Sequence, residues 1–315
     1  DWVFIVNNNS DTSNFKPDYM GRFHGVRNEV LGIGYDVEEP TESYDTKKLR
    51  GMIHFPWRGA ISGGPSLHEL MHTWGNASIK AKMLDFDDGG EEATSGSHWG
   101  ISNIGGQLGG FDMSTFKELP MDTTSAEYVD GYRHYQAGFN GTGFGMWANG
   151  GNSVPFSNFE LYLMGLIPSS EIEDIVYFEE FATSSASSFY ECGGFDAEGS
   201  GCFSARKKIQ MTADQIVEKL GKRFPSSEDS QKEFSALTVV ITPEEMTEGE
   251  RKEVHDQVSW FSNPVDDGKY LYNFSEATGN RATIKMDELN KALKSYEPPV
   301  ETSGIATSTP SVQGN

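Results

Sequence analysis

The sequence predicts an α+β fold, on three observations. Apolar runs of strand character stand at residues 2–6 and 237–241. Four other segments combine helical spacing with recognisable helix-end signals. A long region rich in Gly, Asp and aromatic residues separates them, and no internal repeat is present.

Taken in order, Trp2 to Val6 form the first strand candidate, followed by an Asn-rich turn from Asn7 to Asp11. The chain opens on Asp1 without Met, as expected of a processed or trimmed polypeptide. Residues 57–65 hold Gly59, Gly63, Gly64 and Pro65 and are expected to be loop. Leu67 to Trp74 then read as a helix, with Pro65 in its first turn and Gly75 just past its end. From Asp85 to Gly151 few segments are periodic, so long ordered loops with a functional surface are expected.

A second helix is expected from Ser157 to Gly165, with Phe159, Tyr162, Leu163 and Leu166 at helical spacing. Thr212-Ala213-Asp214-Gln215 fits a capping box for a helix ending at Gly221. The strand at 237–241 follows. Thr242-Pro243-Glu244-Glu245 then reads as the cap of a helix carrying Met246, Val254, Val258 and Phe261. The expected organisation is a main region at 1–181, a Ser/Gly-rich linker or loop at 182–204, and a smaller α/β part at 205–296 of the same or a second domain. Residues 297–315 have no periodicity and are expected to be a disordered tail.

Composition bounds the partners. Hydrophobic residues at 36% and charged ones at 23% exclude a collagen, a coiled coil and a wholly disordered chain. No run approaches the ~20 apolar residues of a membrane helix, so no membrane span is expected. Forty-seven acidic against 25 basic residues give a formal net charge of -22, which repels phosphate backbones and argues against nucleic acid. Cys192 and Cys202 flank a Gly-rich stretch short enough to close as a disulfide in an oxidising compartment. A secreted or cell-surface location is expected on that ground.

One motif carries most of the chemistry: His68-Glu69-Leu70-Met71-His72. Four residues of helix turn through about 400°, which puts both imidazoles on one face about 6 Å apart along the axis. Two imidazoles so placed can share one Zn2+, while Glu69 projects toward a water at the same ion and can accept its proton. The bland alternative is a capping box from Ser66 to Glu69, which would give Glu69 a structural role. A third protein ligand is needed. His98, in a glycine-bounded loop beside Trp99, is favoured over Glu160 on the second helix. Glu160 is also placed to be a helix N-terminal carboxylate.

With Gly96-Ser97-His98-Trp99-Gly100 and Phe156-Ser157-Asn158-Phe159-Glu160-Leu161-Tyr162-Leu163-Met164-Gly165-Leu166, this motif resembles exported bacterial zincin-type metallopeptidases over residues 65–168. The resemblance implies a zincin fold, a twisted sheet packed on an active-site helix with a cleft beside it. It implies zinc-dependent hydrolysis of a protein or peptide substrate, with His68 and His72 as ligands and Glu69 as general base. The chain departs from the short metzincin pattern, because Ser78 stands where a third His belongs. Glu160 is where gluzincins carry their glutamate, and Met146 is the candidate for a methionine turn under the metal. A glycan substrate and a non-catalytic binding module are the rival readings.

Lesser features complete the list. Asp85 to Glu92 has alternating carboxylates around a glycine turn, suited to Ca2+ or simply to solvent. His134, Tyr135 or Tyr162 are candidate donors to an oxyanion.

Overall fold

The computed structural model describes residues 1–10, 19–34, 37, 48–75, 82–85, 91–94, 97–139, 151–182, 200–266, 268 and 270–286; side chains are described for these except in 82–85 and 91–94 and at 139 and 200. Strands β1 (Trp2–Asn7), β2 (Arg22–Gly25) and β3 (Gly51–Phe55) lead into helices α1 (Ala60–Gly63) and α2 (Ser66–Gly75). Next come β4 (Lys82–Asp85), β5 (Glu91–Thr94), β6 (Phe111–Leu119), α3 (Ala126–Val129), β7 (Arg133–Phe139) and α4 (Asn158–Met164). The chain continues through β8 (Ile175–Phe181), β9 (Ser200–Met211), α5 (Ala213–Leu220), β10 (Glu233–Ile241), α6 (Glu248–Phe261), α7 (Phe274–Ala277) and β11 (Thr283–Lys285).

These elements build an α+β molecule. A five-stranded sheet runs in the order β11-β10-β1-β3-β2, parallel throughout except for β2, which lies antiparallel to β3 at the edge. A separate antiparallel sheet has the order β6-β7-β9-β8, and β4 pairs with β5.

Helix α2 is fixed to the first sheet by alternation in β1. Trp2, Phe4 and Val6 are buried on one face, aligned with Ile53 and Phe55 of β3. The Trp2 ring meets Trp74 of α2 edge-on at 5.8 Å, and its indole N–H donates to Thr73 Oγ1 at 3.0 Å. Leu67, Leu70 and Met71 complete that buried face of α2. The second sheet has its own aromatic core, where Tyr135 and Phe203 flank Phe178 at 4.8 and 4.9 Å.

Several boundaries differ from the sequence expectation. The 57–65 segment contains α1, and the expected loops between 85 and 151 contain β6, α3 and β7. Most side chains of β6 face solvent, so no apolar alternation marks that strand. Helix α6 begins at Glu248, because Thr247 and Glu250 form the reciprocal capping box; Thr242 to Glu245 precede it as a turn. Strand pairs in both sheets join the regions before and after 182–204, since β9 pairs with β7 and β8 while β10 pairs with β1. Cys202, in β9, is buried and disulfide-bonded; Cys192 lies outside the described residues, as does 297–315. No described helix is long and apolar enough to cross a membrane.

Candidate metal centre

Helix α2 begins at Ser66, and the carbonyl of the preceding Pro65 accepts from the Glu69 N–H at 2.9 Å. Ser66 turns its hydroxyl to the Ile61 carbonyl at 2.6 Å, so the Ser66–Glu69 capping box is not formed. The first turn is capped from a distance instead. Asn152 Oδ1 accepts from the Leu67 N–H, and its amide donates to the Ile61 and Ser62 carbonyls. Glu69 is thereby released from any capping duty.

His68 and His72 share one face of α2, and the segment that begins at Ser97 brings His98 to them. His72 Nε2 and His98 Nε2 each lie 3.2 Å from His68 Nε2. One ligand atom from each of the three falls within 4.8 Å of the others. His68 and His72 are buried and His98 is half-buried.

The donor chemistry fits a metal ion. His68 Nδ1 sits 2.8 Å from the Gln107 carbonyl oxygen, which can only accept. Nδ1 therefore carries the proton, and Nε2 of the neutral ring turns a lone pair toward His72 and His98. Three imidazole nitrogens converging in this way, one with its tautomer fixed from behind, form a set able to hold a divalent cation.

Glu69 is 4% exposed and borders this cluster from the next position on the helix. Burial pushes its carboxyl up to about 7, while the Phe23 backbone N–H and the Arg22 charge act in the opposite direction. The backbone approaches it closely on that side. A Cβ on Gly21 would stand 2.7 Å from both Cγ and Oε1 of Glu69, so only glycine leaves the carboxylate its place. Phe23, two residues further along in β2, stacks on the His72 ring with centroids 6.4 Å apart. Edge strand β2 thus runs along the cluster.

Glu160 stands apart from the three histidines. Its Oε1 accepts from Trp99 Nε1 and the Leu108 N–H, and its Oε2 from the Gln107 and Ser157 N–H groups. His134 and Tyr135 lie in β7, with His134 Nδ1 2.9 Å from Ser204 Oγ, and Tyr162 is buried on α4. Met146 lies outside the described residues, and so do the side chains of the Asp85 to Glu92 segment.

No protein-family model, curated protein or solved structure matches this chain. What its site can do follows from the residues themselves. Sequence reasoning missed the Gln107 carbonyl, Phe23 and Gly21. A Gly105-Gly106 pair ahead of Gln107 was the available signal for the first, and nothing in the sequence marks the other two.

Proposed function

We propose that this chain is a zinc-dependent peptidase of the zincin type, held together at its centre by His68, His72 and His98. The observation that carries the reading is the convergence of three imidazole nitrogens, with the buried Glu69 on the same helix between two of the histidines. Neutral imidazoles in threes suit zinc in a hydrolytic site. When bound there, zinc supplies Lewis acidity, lowering the pKa of water toward ~7 and polarising a carbonyl oxygen. Glu69 accepts a proton from the attacking water on its carboxylate and passes it to the leaving amine nitrogen.

Edge strand β2 supports a peptide over a glycan. It pairs with β3 on one side only among the described strands, and it lies against the His72 ring through Phe23. An extended peptide can add to such an edge through its backbone N–H and carbonyl groups. The disulfide at Cys202 supports an oxidising compartment, hence a secreted or cell-surface enzyme.

The test is Glu69→Gln in zinc-loaded protein with casein as substrate. Loss of general-base assistance predicts a 10²–10⁴-fold drop in turnover, roughly 2.7 to 5.5 kcal/mol of barrier. Zinc content should stay at the wild-type level. Equal turnover in the variant, or no cleavage of any peptide by wild type, would contradict the proposal.

A further inference from the structure

We infer that Glu160 is a positioning residue for the metal centre: its carboxylate holds the segment from His98 to Leu108 so that His98 and the Gln107 carbonyl both reach His68. The inference rests on the metal-centre reading above and assigns Glu160 a role behind the ligands.

Glu160 is wholly buried, and a buried carboxylate persists only where hydrogen bonds replace its water. Four N–H groups do so, at 2.8 to 3.0 Å, two on each oxygen. A helix cap accounts for one of them, the Ser157 N–H, in the capping box of α4. The other three come from the distant segment: Trp99 Nε1, the Gln107 N–H and the Leu108 N–H. Burial pushes the Glu160 carboxyl up, while the four N–H groups, to which both oxygens can only accept, favour its charged form and clamp the segment at both ends.

Those two ends are where the ligand shell is served. Trp99 adjoins His98, and the Gln107 residue whose N–H meets Glu160 offers its carbonyl to His68 Nδ1 at 2.8 Å. The Trp99 N–H closes the base of the loop on the Leu108 carbonyl at 2.7 Å. Gly106 completes the fit, because a Cβ there would fall 2.0 Å from Glu160 Oε2. A single anion thus sets where the third imidazole stands and which His68 nitrogen keeps its proton.

The test is Glu160→Gln in the full chain, whose amide NH2 would face N–H donors. Chelator competition should show zinc held 10- to 100-fold more weakly, the range for lost outer-shell support of a metal ligand. X-ray absorption should show fewer than three imidazoles on the ion, a readout that a simple loss of stability does not move. A folded variant with wild-type affinity and three imidazoles would overturn the inference. Should Glu160→Gln not fold, Trp99→Phe removes one donor and keeps a ring in place. Zinc affinity should then fall roughly 2- to 10-fold, and an unchanged affinity would overturn the inference. If wild type binds no zinc, the metal reading fails separately, and the imidazole ¹⁵N shifts of the metal-free proteins decide. A His68 proton fixed on Nδ1 in wild type and shared between nitrogens in the variant would support the role of Glu160. Identical shifts would overturn it.

Discussion

His98 Nε2 stands 3.2 Å from His68 Nε2 although 30 residues separate the two in the chain. The pair on α2 needs only a helix, but the third imidazole arrives only when the distant segment is folded. An ion held by all three would therefore link metal binding to folding.

That linkage predicts a thermal shift. Zinc at about 100 times its Kd should stabilise the wild-type chain by ~2.7 kcal/mol. His98→Ala should lose most of this gain at the same zinc concentration, as measured by thermal unfolding with and without chelator. An equal zinc-induced shift in both proteins would remove His98 from the ligand set.

Gly21→Ala tests the wall beside Glu69. The added methyl must displace the Glu69 side chain or the Pro65 ring, each 2.7 Å from the new Cβ. Misplacing a catalytic group by about 1 Å can cost ~10²-fold. Turnover should fall by roughly that factor while zinc stoichiometry stays as in wild type. Unchanged turnover would show that the position of Glu69 does not matter.

The indole of Trp2 offers a stability test far from the chemistry. Thr73→Val keeps the shape of the side chain but leaves the buried Trp2 N–H without its Thr73 acceptor. An orphaned buried donor costs about 1–3 kcal/mol, readable as a lower urea midpoint. Zinc affinity should be unaltered, since the hydroxyl faces the sheet; a midpoint equal to wild type would refute the role assigned to this bond.

His54 predicts a pH dependence. Burial, and then the Arg22 charge, hold its pKa below the ordinary value of about 6.5. Its neutral ring is engaged on both sides, by Asn7 Oδ1 at 3.1 Å and the Tyr19 hydroxyl at 2.5 Å. Below pH 6.5 the unfolded chain binds the proton first, so stability falls as the pH drops toward the folded-state pKa. His54→Gln should flatten this part of the profile in urea unfolding between pH 7.5 and 5. An identical slope in both proteins would dismiss the contribution of His54.

How legible this site was in the sequence depended on the kind of group involved. Helix α2 and the spacing of His68 and His72 could be read because Pro65, Gly75 and the i, i+4 pattern are side-chain signals. Thr212 and Gln215 showed their capping box for the same reason. The choice between His98 in a loop and Glu160 on a helix turned on which distant side chain meets the histidine pair of α2, and spacing holds no such information. Three of the four groups that occupy Glu160 are backbone N–H donors, and a backbone donor looks the same under any sequence. β6 escaped notice because a strand with a solvated face and few apolar residues lacks the alternation that reveals strands.

The central claim is that one zinc ion sits on His68, His72 and His98. Zinc K-edge X-ray absorption of the zinc-loaded full chain measures this directly. The account predicts three imidazole nitrogens at about 2.0 to 2.1 Å, with His98→Ala reduced to two. A wild-type spectrum with two imidazoles or fewer, or one unchanged by His98→Ala, would contradict it.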